Sequence, residues 1–345
     1  MVKTVFYRRN GLRENGVFSI NGLQFFYKSL PYNFFQRELA GYRILQKYYP
    51  VPRLLQVQRG NNIGLLIFEY EDSIQNEKGL LVDLFANRRS RIEALNPILN
   101  LYRRVFLRTL KKARGLSCDI FFKDRIPTRL TKFYSPRFVR SVGGKVVFFN
   151  GQRLELHLEK IISDIKSFFK EAKLYWCVVS QCDPIDLNLG IKPILFDYEA
   201  GGWNPLTAEF AAFFWYNNIA QGNYQGPLYS SSSFKRHRRI YNCLDQVRLY
   251  GNKLEYKSSL LRQEFVSKYI NRVLIPCFEV TGDYKDWYKE FKNYLAMKIL
   301  CRFNLTKMAK RDMLLSLCLL EYFYNVINPK NPEELLLLTK KIWRN

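Results

Sequence analysis

Ser180-Gln181-Cys182-Asp183-Pro184-Ile185-Asp186-Leu187-Asn188-Leu189-Gly190, followed by Pro193-Ile194-Leu195-Phe196-Asp197-Tyr198-Glu199, is the stretch that decides how the rest of the chain is read. Two short apolar runs, Leu174 to Val179 and Ile194 to Phe196, flank a polar loop. The loop carries Asp183, Asn188 follows five residues later, and Asp197 closes the second run. The residue types suit one chemistry. Asn188 and Asp197 are hard oxygen donors of the kind a magnesium ion takes. Asp183 can accept a hydrogen bond from a hydroxyl and take its proton. Glu199 divides evenly between a second metal ligand and a structural acid. Taken singly, these residues also fit a polar turn whose side chains cap backbone groups; their order favours the site. Asp186 reads as a loop acid, and Glu209 as a helix-start residue or a brace for the loop. Cys182 has no histidine near it in sequence to activate it, which argues against nucleophilic catalysis.

Upstream, the first seventy residues alternate between strands and one helix. Thr4 to Arg9 reads as a strand and Asn10 to Gly16 as a polar turn. Val17 to Ile20 and Leu23 to Lys28 flank Asn21-Gly22, a hairpin signal because both central residues of a type I′ turn need positive φ. Leu39, Tyr42, Leu45 and Tyr49 give the segment from Phe34 to Tyr48 a helical spacing, ended by Val51-Pro52. Leu54 to Gln58 and Ile63 to Tyr70 read as two more strands. Beyond residue 72 helices dominate. Asn96-Pro97 is a cap signature before Ile98, Leu101, Tyr102, Val105 and Phe106, and Asn331-Pro332 repeats it before the last helix. Asn150-Gly151 marks a second hairpin.

In this order the motifs resemble the aminoglycoside phosphotransferase and choline kinase-like family, the small-molecule branch of the protein-kinase-like fold. The resemblance rests on Cys182 to Asn188, Leu195 to Glu199, Gly202-Trp203-Asn204-Pro205 and Glu209-Phe210, and covers roughly residues 5 to 215. It implies an α+β, two-lobed fold, with a small antiparallel-sheet N-terminal lobe over residues 1–70 and a large, mainly helical C-terminal lobe over 71–345. It further implies ATP and magnesium as cofactors and a hydroxyl of a small molecule or glycan as acceptor. Lys28 would contact the nucleotide phosphates with Glu38 as its partner, and backbone groups of Glu69, Tyr70 and Glu71 would hold the purine. Asp183 would be the catalytic base, with Asn188, Asp197 and Glu199 around the metal. One departure is Gln181 where the family usually has a histidine bracing the loop. No Ala-Pro-Glu segment follows Asp197, which argues against a protein kinase. Tyr216, Trp215 and the surroundings of Trp287 are expected around the acceptor.

The charge balance bears on partners rather than on fold. The 345 residues carry 55 Lys and Arg against 30 Asp and Glu, a net charge of +25. Between Arg88 and Lys145 stand 16 basic residues against Glu93, Asp119 and Asp124, and Lys235 to Arg239 is a second cluster. A solvated face is the first reading of this strip. An anionic acceptor is the functional one, and a cationic aminoglycoside suits it less. A catalytically degenerate kinase-like binding protein is one alternative. A basic nucleic-acid-binding protein without catalysis is the other, and is less favoured. Seven scattered cysteines without a Cys-x-x-Cys, and only two histidines, exclude a zinc site and fit reduced, buried thiols. With no signal-peptide pattern at the N-terminus and no span-length apolar run, a cytoplasmic protein without a transmembrane segment is expected.

Overall fold

The computed structural model describes residues 3–10, 13–71, 79–86, 92–171, 173–186, 188–219, 246–258 and 260–343. Five strands, β1 (Lys3–Asn10), β2 (Arg13–Ile20), β3 (Leu23–Pro31), β4 (Leu54–Arg59) and β5 (Ile63–Glu69), form one antiparallel sheet in the order β1-β2-β3-β5-β4. The β2–β3 turn has Asn21 at φ +51° and Gly22 at +79°, the left-handed pair that the Asn-Gly signal requires. The turn expected over residues 10 to 16 is shorter in the fold. β2 already starts at Arg13, and Asn15 and Gly16 pair with Arg8 and Phe6 across an irregularity in β1. An extra residue accommodated in the ladder lets polar residues stay in a strand that their composition alone argued against.

Helix α1 (Tyr32–Leu45) lies on this sheet and buries Phe35, Glu38, Leu39, Tyr42 and Leu45. Their spacing is that of one helical face, so the charge at position 38 is carried inward with the apolar stripe. Tyr42, Phe68 and Tyr198 meet edge to face or tilted, with centroids 5.3 to 5.9 Å apart, and tie α1 and β5 to the Asp197 turn.

Beyond the sheet the fold is mainly helical, so the architecture is α+β, with an antiparallel sheet at the N-terminal end and helices predominating after it. The helices used below are α2 (Asn96–Thr109), α3 (Leu158–Phe168), α4 (Leu206–Phe214), α5 (Leu260–Tyr269) and α6 (Trp287–Arg302). Every residue of α4 is buried, and α6 packs along it through Phe210, Phe214 and Phe291. A three-stranded sheet of β6 (Lys111–Ala113), β9 (Tyr175–Ser180) and β10 (Gly202–Pro205), in the order β10-β9-β6, carries the loop of interest between its last two strands. β7 (Val146–Phe149) and β8 (Gln152–Glu155) form the second expected hairpin, with Asn150 at φ +47° and Gly151 at +81°.

Two details differ from the sequence reading. Within the mainly helical region, one hairpin that the sequence reading did not name is present: β11 (Gln246–Tyr250) and β12 (Lys253–Lys257) pair antiparallel, and β12 joins β7 in parallel. The alternation Val247/Leu249 and Leu254/Tyr256 around Gly251-Asn252 was the available signal. Asn150 clamps this sheet, since its amide donates to the carbonyls of Tyr256 and Ile342 and its oxygen accepts from the Tyr256 amide. Asn96 does not cap α2 with its side chain, which accepts instead from Arg272 at 2.7 Å. Asn331 does act as a cap, accepting from the Glu334 amide at 2.8 Å. The described cysteines are free and buried, and among the described residues no helix is long and apolar enough to cross a membrane.

Candidate active site

The sheet and α1 bring Lys28, Glu38 and Asp197 together. Lys28, 8 % exposed, places its Nζ 2.5 Å from Glu38 Oε1 and 3.0 Å from Asp197 Oδ1. The Tyr198 amide donates to the same Glu38 oxygen at 3.1 Å, so Glu38 is held from both lobes. Burial disfavours a charged Lys28, but the carboxylates of Asp197 and Glu38 more than offset it and raise its pKa. Burial likewise opposes ionisation of Asp197, and Lys28 reverses this, holding that carboxyl below its usual range. Close approach makes the arrangement tight. A Cβ at Gly41 of α1 would overlap the Tyr198 carbonyl, so only glycine lets the helix touch this turn. Asp197 itself has φ +68°, a left-handed conformation that turns its carboxylate back toward Lys28.

Backbone bonds inside the loop then fix the rest. The Asn188 side-chain amide donates to the Asp183 carbonyl at 3.1 Å, which orients the Asn188 oxygen end away from that bond. The Phe196 amide donates to the Asn188 carbonyl at 3.0 Å. Gln181 donates its side-chain amide to the carbonyls of Phe196 and, at 3.1 Å, Asp197. The departure from the family pattern at 181 thus still links the loop to the Asp197 turn. Glu209 of α4 accepts from the Cys182 amide at 2.6 Å, and burial pushes its carboxyl up to about 7. Asp186 is structural: it pairs with Arg262 of α5 at 2.7 Å, both fully buried.

Asp183 is 6 % exposed and accepts from the Tyr216 hydroxyl at 2.5 Å, with Lys298 Nζ 3.4 Å from the same oxygen. Burial alone would raise its pKa, but Arg302, Lys298 and the Tyr216 hydrogen bond hold it below the usual carboxylate range. It is therefore held as an ionised hydrogen-bond acceptor.

Among the described residues no group of three or more His, Cys, Asp or Glu side chains forms a metal cage. Asn188 and Asp197 nevertheless fit magnesium, which keeps several waters and takes one or two protein oxygens together with substrate phosphates. Glu199, two residues beyond Asp197, pairs with Arg13 of β2 at 3.8 Å, and burial raises its pKa, with the Asp197 charge adding to the rise. At the end of β5, the Glu69 amide donates to the Arg53 carbonyl at 2.9 Å and its side chain pairs with Arg53 at 3.2 Å. That amide is committed to the sheet and is not available to a purine. Tyr70 and Glu71 follow as the connector.

Trp215 and Trp287, expected near an acceptor, are core residues: Trp215 is fully buried, and Trp287 donates to the Lys330 carbonyl and packs on Phe278. Tyr216 is at the site. Lys298, Arg302 and Arg262 were missed, because they lie 79 to 119 residues beyond Asp183 and nothing local marks them. Of the basic strip, Arg103, Arg104 and Arg108 are exposed on α2. Arg108 lies over the Tyr48 ring, Lys111 over Trp203 and Lys112 over Trp176, contacts away from Asp183. The cluster from Lys235 to Arg239 lies outside the described residues.

No protein-family model matches the sequence, and no curated protein matches it. The fold is similar to solved aminoglycoside phosphotransferases. A protein of Ralstonia eutropha assigned to that group is 11% identical over 99% of this chain and 93% of its own, with a TM-score of 0.47. An aminoglycoside phosphotransferase in ternary complex with ADP and hygromycin B is 10% identical over 86% and 92%, with a TM-score of 0.42. A spectinomycin phosphotransferase in complex with ADP and spectinomycin is 9% identical over 99% and 93%, with a TM-score of 0.38.

Proposed function

We propose that the chain is an ATP-dependent phosphotransferase whose acceptor is a hydroxyl of a small molecule or glycan. The observation that carries this reading is the set of bonds joining Lys28, Glu38 and Asp197 across the lobes, beside a loop in which Asn188 is pinned to Asp183. Lys28 supplies a fixed ammonium for the phosphate chain, and its charge is secured by two carboxylates. The connector at Tyr70 and Glu71 takes the purine, which assigns residues 1–70 to the nucleotide and 71–345 to catalysis and acceptor binding. Asn188 and Asp197 would hold magnesium, which when bound would supply charge to neutralise the phosphates. Asp183 accepts the hydrogen bond of the acceptor hydroxyl, aims its oxygen at the phosphorus and receives the proton as the new bond forms. A low pKa suits that order of events, since the proton moves only once the attacking oxygen has become acidic.

Two measurements test the assignment. ADP titrated with and without Mg²⁺ should bind Lys28→Ala about tenfold or more weakly than wild type. In a metabolite extract with ATP, Asp183→Asn should lose roughly 10²- to 10⁴-fold in product formation while binding Mg-ADP as wild type does. Equal product from both proteins removes Asp183 from the mechanism.

A further inference from the structure

Asp183 follows a residue whose backbone is strained. Cys182 has φ +53°, a left-handed conformation that its β-carbon disfavours and that persists only where the surroundings impose it. Here they act on both sides of the residue. The Cys182 amide donates to Glu209 Oε2 at 2.6 Å, and the Cys182 carbonyl accepts from Lys298 Nζ at 2.8 Å. Glu209 lies on α4 and Lys298 on α6, so the residue before Asp183 is clamped between two packed helices.

The same two helices take up one oxygen of the Asp183 carboxylate. Tyr216, in the segment Trp215–Ile219 that continues α4, donates its hydroxyl to Oδ1 at 2.5 Å. Lys298 Nζ stands 3.4 Å from that oxygen and lies over the Tyr216 ring at 5.3 Å. Tyr216 and Lys298 are both buried, where a hydrogen bond is stronger than in water. Oδ2 stays outside this arrangement. It has no hydrogen-bond partner among the described residues and is not sealed from solvent. A counter-ion for a buried lysine needs no such division between its two oxygens. A base gains from it, because a carboxylate free to turn offers a hydroxyl no acceptor in a fixed place.

From this geometry we infer that Tyr216 and Lys298 are positioning residues: by committing Oδ1 they present Oδ2 of Asp183 to the acceptor hydroxyl. This rests on the phosphotransferase reading for the identity of that hydroxyl, and deepens it by naming the oxygen that receives the proton. The acceptor oxygen bonds to phosphorus while the bond from phosphorus to ADP breaks and ADP leaves with the electron pair. The hydroxyl proton passes to Oδ2, and Oδ1 keeps its hydrogen bond from Tyr216. Tyr216 and Lys298 act through Asp183, so their loss reaches the rate and not the hold on nucleotide.

Tyr216→Phe removes one hydroxyl, keeps the ring beneath Lys298 and leaves no new buried charge unpaired. With ATP and Mg²⁺ in a metabolite extract, its maximal rate of product formation should fall about tenfold, the loss expected for one hydrogen bond to a charged group. Its KM for ATP and its Mg-ADP affinity should stay at the wild-type values. Lys298→Met should lose more, and Lys298→Arg should recover part of that loss by returning the charge and a donor for the Cys182 carbonyl. Side chains that served folding alone would lower Tm and leave the rate per folded molecule unchanged, and that result overturns the inference. The crystal structure of Tyr216→Phe is the second readout. Its Asp183 carboxylate should be rotated or split between two positions, and a carboxylate that keeps its place overturns the inference whatever the rates. If the wild type forms no product from ATP and binds no Mg-ADP, the phosphotransferase reading fails, and the crystallographic comparison still decides whether Tyr216 sets the carboxylate.

Discussion

On the sheet side of the cleft one lysine lies between two carboxylates, with Lys28 at 2.5 Å from Glu38 and 3.0 Å from Asp197. On the helix side one carboxylate, Asp183, lies among Tyr216, Lys298 and the arginines near α6. The first wall sets two carboxylates against one ammonium, and the second gathers Lys298 and Arg302 over the Tyr216 ring beside one carboxylate. The two walls also differ in how they are built. The first is made by residues close in sequence to their strand and helix ends, the second by side chains gathered from helices far along the chain.

The helix-side wall breaks most severely at Arg262. Arg262→Met leaves Asp186 buried without its ion partner, and a loss of about 3–5 kcal/mol in folding free energy is expected. Denaturant unfolding measures it, and Asp186→Leu combined with Arg262→Met should recover much of the loss. No loss in the single variant would mean the pair does not anchor the loop that carries Asp183. Glu209, behind the loop, gives the next effect. Unfolded, it ionises near 4.5, whereas in the fold it keeps its proton up to about 7. Folding is therefore favoured below 4.5, and this share of the stability, roughly 3 kcal/mol at most, disappears as pH rises through about 7. Glu209→Gln retains an oxygen for the Cys182 amide and cannot ionise, so its Tm should fall less steeply than wild type's between about pH 5 and 8. Parallel Tm curves would exclude this role. The smallest change, Gly41→Ala, tests the sheet side alone. The methyl must push α1 off the Tyr198 carbonyl, with an expected cost of about 1–3 kcal/mol. Mg-ADP affinity should drop with it, and an unchanged affinity would show that this contact does not position the Lys28 pair.

Legibility in the sequence follows the same division. Asp183, Asn188 and Asp197 could be picked out from their types and order around two apolar runs, Lys28 and Glu38 only through the family resemblance, and the Asn21-Gly22 turn sets the register of β3 from local chemistry alone. Asp186 and Asp183 are three residues apart in one loop, yet only the fold shows one locked to Arg262 and the other facing Tyr216. Lys298 and Arg302 lie on α6, which is buried almost all round, so no amphipathic stripe marked them. The β11–β12 hairpin was lost for a related reason: its two short alternating runs gain their stability from β7 and Asn150, about a hundred residues earlier.

Because position 41 has no side chain, α1 rests directly on the backbone of the Asp197–Tyr198 turn, less than one helical turn from Glu38. Swinging α1 outward would part this contact, the Tyr198–Glu38 bond and the Lys28 pair at once. The position of Glu38, and with it the Lys28 pair, is therefore set by how closely two stretches of backbone can approach.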